Sequence, residues 1–171
     1  MNFIAAVDEN WNIGNQGNLL ERIPEDMKQF KAKTRDKVVV MGRKTFESFP
    51  GKRPLPNRTN IVLTRQMDFI CDGIIVCHSY NDLCDMLQSY KTEDIFIIGG
   101  GVIYNKMIPY CQTGYITKFH KVYNADTSII NLDMNKNWTV LEKDGPHLYK
   151  DDINYSYFLY KNNNIIPFHG V

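Results

Sequence analysis

Five short runs of this chain are apolar along almost their whole length: FIAAV (3–7), KVVVMG (37–42), NIVLT (60–64), GIIVC (73–77) and DIFIIGG (94–100). A strand with one wet face alternates polar and apolar residues, whereas a strand apolar on both faces must be covered on both. That requirement is met by a parallel sheet sandwiched between helices. Helical segments are legible between the runs: Pro24 to Thr34, Lys44 to Phe49, Tyr80 to Ser89 with Leu83, Met86 and Leu87 on one side, and Val102 to Tyr110 ending beside Pro109. The alternation is βαβ, so the chain is read as α/β. The last third differs. GYITKFHKVY, WTVLEKD and NYSYFLYK alternate with period two and are separated by Asn, Asp and Gly, which predicts strands that close one edge of the sheet, some of them antiparallel.

With 171 residues, 43% of them hydrophobic, there is material for one core and hardly for two. Residues 1–161 are read as a single domain, and 162–171 as a loosely held tail. The 20 basic and 19 acidic residues leave a net charge of +1, which argues against nucleic acid or an anionic membrane and for a small-molecule partner. MNFIAAVDEN has no basic leader and too short an apolar run for a signal or a span, so a cytoplasmic protein is expected. Cys71, Cys77, Cys84 and Cys111 lack C-x-x-C pairing and metal-ligand spacing to the four His, so no metal is expected and the thiols should be reduced.

Ligands of open α/β sheets bind outside the carboxyl ends of the strands, and three of those junctions are unusual. Gly42 is followed by Arg43, Lys44 and Thr45 opening a short helix, and the next strand ends in Leu63, Thr64 and Arg65. If the two strands are neighbours, these residues converge into a receptor for a phosphate monoester; taken alone, Arg43 and Lys44 could equally be solvated surface. The third junction is Gly99-Gly100-Gly101, either a tight turn or a backbone approach to pyrophosphate. After the first strand, DENWNIGNQGN lacks G-x-G-x-x-G, so any dinucleotide must bind in another way.

In GNLLERIPEDMKQF, Ile23, Met27 and Phe30 fall at i, i+4 and i+7, the spacing of a buried stripe that also includes Asp26. Glu25, Lys28 and Gln29 are expected on the wet face. Asp26 is either an acid favoured by its place in the first helical turn or a carboxylate turned inward for chemistry.

AAVDENWNIG, IPEDMKQFK, VVMGRKTFES, RPLPNRTNIVLTR, DIFIIGGGVIY, and YIT followed by ADT resemble, in that order and spacing, the motifs of dihydrofolate reductase, from about Asn2 to Lys161. The resemblance implies one α/β domain whose mixed, mostly parallel sheet has about eight strands flanked by about four helices, with antiparallel C-terminal strands. It implies hydride transfer from NADPH to C6 of dihydrofolate while N5 gains a proton, a role in one-carbon metabolism, antifolate inhibitors as further ligands, and a monomer. Asp26 then accepts the pterin's ring N-H and 2-amino group, Thr117 braces it, and Leu19 belongs to the loop over the reacting atoms. Ile4, Ala5, Met27, Phe30, Phe49, Leu55 and Ile98 match the substrate walls. Arg58 matches the clamp on the glutamate α-carboxylate, with Lys31 and Arg53 as weaker charges nearby. The cofactor surroundings correspond to Ala6, Ile13, Asn18, Leu19, Gly42, Arg43, Lys44, Thr45, Leu63, Thr64, Arg65, His78, Gly99, Gly100, Gly101, Val102, Ile103 and Tyr104.

Three departures stand out. Leu20-Glu21 replaces a common Pro-Trp, FPGKRPLP is longer than in the shortest members, and isoleucines in NADTSIINLD stand where Phe-Pro is frequent. The alternatives are a pterin or pyrimidine reductase of related fold, which would lose the Asp26 and Arg58 pair, and a non-catalytic nucleotide-binding module, which would damage the carboxylate or the glycines.

Overall fold

The computed structural model describes residues 1–150 and 153–169. The chain opens with β1 (Asn2–Val7), a small hairpin of β2 (Asn12–Asn15) and β3 (Asn18–Leu19), α1 (Pro24–Thr34), β4 (Val38–Gly42), α2 (Arg43–Glu47), β5 (Thr59–Leu63) and β6 (Ile74–Cys77). It continues through α3 (Tyr80–Leu87), β7 (Ile95–Gly99), α4 (Gly101–Met107), β8 (Thr113–Phe119), β9 (Thr127–Ser128), β10 (Trp138–Lys150) and β11 (Ile153–Asn162). Among the described residues, eight strands form one sheet in the order β10-β11-β8-β1-β7-β4-β5-β6. β6, β5, β4, β7, β1 and β8 run parallel, and β11 is antiparallel to both β8 and β10. This is the α/β architecture expected, with the antiparallel strands at one edge.

The apolar runs of β4, β5 and β7 are buried on both faces, as their lack of alternation demands, whereas β6, at the sheet edge, keeps Ile74, Ile75 and Val76 half-buried. Val38, Val40, Ile61, Ile95 and Ile97 pack with Leu83 and Leu87 of α3 and Ile103 and Met107 of α4. Their neighbours along the strands, Val39, Met41, Val62, Phe96 and Ile98, pack with Phe46 of α2 on the other face. Helix α3 starts on a reciprocal cap, in which Ser79 Oγ accepts from the Asp82 N–H at 3.0 Å and the Asp82 carboxylate accepts from the Ser79 N–H at 3.1 Å.

Three features depart from the expectation. A second, three-stranded sheet, β3-β2-β9, joins the loop after β1 to the segment after β8; its strands are too short for periodicity to reveal. The stripe on α1 is not a buried stripe: Ile23 is 1% exposed, but Met27 is 39% exposed and Phe30 only half-buried. Beyond Ile23 this side of the helix borders an open cleft instead of a filled core. The described part of the tail is docked, not loose. Ile166 N donates to Pro109 O at 3.2 Å and the Phe168 ring lies 4.9 Å from that of Tyr110, which anchors the segment while the Ile165 and Ile166 side chains stay exposed.

Candidate active site

Pro24, with no N–H to lose, occupies the first turn of α1, and Asp26 follows within that turn. From there the carboxylate accepts a hydrogen bond from Thr117 Oγ1 on β8. Burial raises the pKa of Asp26, opposed by that hydrogen bond. Comparison with Asp8 explains what is unusual. Asp8 is fully buried, yet its carboxylate accepts from the N–H groups of Asn10 and Asn12 and from Asn12 Nδ2, each at 2.9 Å, and from Tyr123 N at 3.0 Å. Four donors satisfy it, and its work is to hold the loop after β1. Among the described residues Asp26 has one side-chain donor, Thr117, and so has acceptor capacity to offer a ligand.

The cleft beside it is walled by apolar residues from both layers. Ile4, Phe30, Phe49 and Leu55 are half-buried around the cluster that contains Ile98. Ala5 and Ala6 pair in register with Ile116 and Thr117, which sets β1 directly beside the Asp26 brace, and Tyr104 Oη donates to Ile4 O at 2.6 Å. Arg58 is held at the α1 end of the cleft: Nε donates to Thr34 Oγ1 at 2.8 Å, Nη1 to Pro56 O at 2.7 Å and Nη2 to Lys31 O at 3.3 Å. A guanidinium has five N–H donors, so two remain for an anion, and the fork is already oriented. Lys31 and Arg53 are exposed.

At the other end the strand register brings the junctions together. Gly42 pairs with Leu63 and Leu63 with Cys77, so Arg43, Thr64 and His78 leave three adjacent parallel strands side by side. Thr64 is 8% exposed, and His78 Nδ1 lies 3.1 Å from Thr64 O. Two details modify the expected phosphate receptor. Arg43 Nη1 is paired with both carboxylate oxygens of Glu47, at 2.6 and 2.7 Å, so its charge is partly neutralised. Helix α2 has only five residues, so it offers free N–H groups more than a sizeable macrodipole. Lys44 and Arg65 are exposed.

The glycine triplet forms the cradle between these two ends. A Cβ on Gly100 would sit 3.1 Å from Thr45 Oγ1 and one on Gly101 2.6 Å from Thr127 Cγ2, while Gly99 has φ +119°. Gly42 is as constrained, its Cβ position lying 3.2 Å from Ile103 Cγ1. Bare backbone beside a row of hydroxyl and cationic side chains fits a phosphorylated dinucleotide. The loop over the site is pinned to the same place: Gln16 N donates to the Asp126 carboxylate at 2.8 Å, and Asp126 N to Gly14 O at 3.2 Å. Ile13 packs at the edge of the main core and approaches Gly101, whereas Asn18 and Leu19 are exposed on β3. Val102 is 80% exposed, so its side chain is not part of a packed site.

The family model described as dihydrofolate reductase matches residues 1–162. The chain belongs to that family. It is 35% identical over 165 residues to the dihydrofolate reductase of Bacillus subtilis, covering 96% of this chain and 95% of that one. The Mycobacterium leprae dihydrofolate reductase is 43% identical over 123 residues, 71% of this chain and 69% of that one. Among solved structures, dihydrofolate reductase from Enterococcus faecalis complexed with NADP(H) and RAB-propyl superimposes with a TM-score of 0.82 at 34% identity, covering 95% of each chain.

Several residues that shape this reductase-family site escape a reading of the sequence. Thr34 orients Arg58, Glu47 tempers Arg43, and Asp8 and Asp126 fasten the loop. Each acts through a partner 4 to 115 positions away, the longest of these separations being the hydrogen bond that Tyr123 N donates to the Asp8 carboxylate. Only the Arg43–Glu47 spacing of i, i+4 is a local signal.

Proposed function

We propose that this chain reduces 7,8-dihydrofolate to 5,6,7,8-tetrahydrofolate with NADPH, delivering hydride to C6 and a proton to N5. The observation that carries the reading is Asp26: a half-buried carboxylate braced by one hydroxyl, at the end of an apolar cleft whose far mouth presents an oriented guanidinium. An acid so placed accepts two parallel N–H groups from an amidine-like pterin edge, while Arg58 takes the carboxylate of the glutamate. Phe30, Phe49, Leu55 and Ile98 hold the aromatic middle of the substrate and exclude water. Gly100, Gly101, Thr45, Arg43, Lys44, Thr64 and Arg65 would hold NADPH, which when bound supplies the hydride.

Asp26 polarises the pterin from its 2-amino edge, and water completes the protonation at N5, because the carboxylate engages the opposite side of the ring. Glu21, at the position often held by tryptophan, is a half-buried acid beside Tyr123 and outside this pairing. The retained Asp26 and Arg58 favour the folate substrate over a smaller pterin or pyrimidine. No helix among the described residues is long and apolar enough to cross a membrane; a monomeric cytoplasmic enzyme, inhibited by antifolates, completes the proposal. The test is the decay of NADPH absorbance on adding dihydrofolate to the purified protein. Decay that depends on both supports the reading, and NADPH that stays intact with dihydrofolate present contradicts it.

A further inference from the structure

Helix α1 carries Asp26 in its first turn, yet the residue at its cap position, Ile23, has no side-chain group to bind the free N–H groups there. Helix α3, by contrast, starts on the reciprocal cap of Ser79 and Asp82. What fixes the start of α1 is therefore the segment before it, residues 20–23, which joins it to β3. That segment lies against the antiparallel edge of the sheet. Ile23 is buried with Phe119 of β8 and Tyr155 of β11, and Leu20, Tyr123 and Tyr149 pack on the same cluster. Tyr149 Oη, on β10, donates to Arg22 O at 3.4 Å.

The remaining member of the segment is Glu21, half-buried where tryptophan is common in the family. The Tyr123 hydroxyl is buried, and the side chain that faces it as a hydrogen-bond acceptor is Glu21. Tyr123 is itself held from three sides. Its N–H donates to the buried Asp8 carboxylate at 3.0 Å, its ring meets that of Phe119 edge to face at 5.9 Å, and Lys121 Nζ lies 5.7 Å from its ring centroid. Burial first, and then the facing Glu21 carboxylate, raise the pKa of Tyr123, so the phenol stays protonated and donates. A hydrogen bond to an ionised acceptor is one of the stronger kinds. A proline at position 20 would stiffen the segment by fixing φ, whereas Leu20 leaves that restraint to be supplied by a side chain. We propose that Tyr123 is a positioning residue which, by holding Glu21, fixes the start of α1 and keeps the Asp26 carboxylate aligned with Thr117 and with the substrate. The inference rests on Asp26 being the substrate carboxylate. Glu21 serves in it as an acceptor and carries no proton, so an amide can replace it.

The experiment measures single-turnover hydride transfer and dihydrofolate binding in Tyr123→Phe, Glu21→Ala, their double variant and Glu21→Gln, together with hydrogen exchange of the amides of residues 20–27 in the ligand-free protein. Tyr123→Phe keeps the ring and removes only the hydroxyl. It and Glu21→Ala should each slow hydride transfer and weaken dihydrofolate by about five- to tenfold, with NADPH binding unchanged, and the double variant should be no worse than either. Glu21→Gln keeps an acceptor oxygen and should stay within about twofold of the parent. Exchange should quicken by a similar factor in the first three variants and not in Glu21→Gln. Losses that multiply in the double variant, or a Glu21→Gln as impaired as Glu21→Ala, overturn the inference. So does faster exchange with an unaltered rate in Tyr123→Phe, which would make the tie merely structural. The contrast between Glu21→Ala and Glu21→Gln decides the matter if Tyr123→Phe does not fold. If the parent transfers no hydride to dihydrofolate, the functional reading falls, and the exchange pattern alone then reports whether Tyr123 holds the start of α1.

Discussion

The junctions after β4, β5 and β6 and the cleft beside α1 treat their polar groups in opposite ways. At the junctions the groups are already engaged with one another: Arg43 with Glu47, His78 with Thr64, and Thr64 Oγ1 with Gln66 N at 3.1 Å. Beside α1, Asp26 is half-buried with one hydroxyl for company and Arg58 keeps two donors uncommitted. A phosphate carries its own charge and meets exposed cations, so its receptor can rest in internal pairs that exchange. A pterin edge is a weak donor pair, and a carboxylate grips it only if it is dry and short of partners beforehand. Cofactor recognition should therefore be distributed over several residues, and substrate recognition concentrated in two.

The largest expected effect on binding tests the distributed side. Replacing Arg43 and Arg65 together by leucine removes two charge-assisted contacts and should weaken NADPH by about a hundredfold or more while changing NADH little. Fluorescence titration with both cofactors measures this, and equal losses would show that the cluster does not read the phosphate. Glu47→Gln sharpens the point in the other direction: freed of its partner, Arg43 should tighten NADPH a few-fold.

On the concentrated side, Arg58→Leu should raise KM for dihydrofolate by roughly ten- to a hundredfold with kcat nearly preserved, the pattern of lost uniform binding. A pterin lacking the glutamate should hardly notice. If it suffers as much, the tie from Arg58 to Thr34 and to the loop at Pro56 is structural and the guanidinium does not meet substrate.

The smallest effect is on stability. The pKa of Asp26 is raised in the folded state, so the folded protein binds a proton more readily than the unfolded chain does. Ligand-free stability is consequently lost as pH rises from the ordinary carboxylate range through the raised folded value. Asp26→Asn removes that penalty, and its Tm should exceed the parent's by about 2–4 °C at neutral pH, the gap closing in acid. A Tm difference independent of pH would mean that the carboxylate is not strained by its burial.

The same contrast explains what could be read from the chain alone. The parallel half was legible because unbroken apolar strands, a glycine triplet and basic residues after strands are local patterns, and parallel pairing then places their ends side by side. Asp26 was legible as an anomaly, but its surroundings were not. Met27 looked buried because spacing reports which side of a helix a residue takes, without reporting whether that side meets a core or a cleft. Thr117 sits in an ordinary strand pattern, and its relation to Asp26 depends on a contact across 91 positions. The β2, β3 and β9 strands are four residues or fewer, so cross-chain pairing and not periodicity creates them.

Position, not charge, selects Asp26 from the three acids Glu21, Glu25 and Asp26. Single-turnover hydride transfer measured across pH for Asp26→Asn and Glu21→Gln tests it most directly. Asp26→Asn should bind NADPH normally and transfer hydride about 10²- to 10⁴-fold more slowly at neutral pH, recovering partly in acid where substrate arrives already protonated at N5. Glu21→Gln should keep the parent profile. A profile distorted in Glu21→Gln and intact in Asp26→Asn would contradict the account.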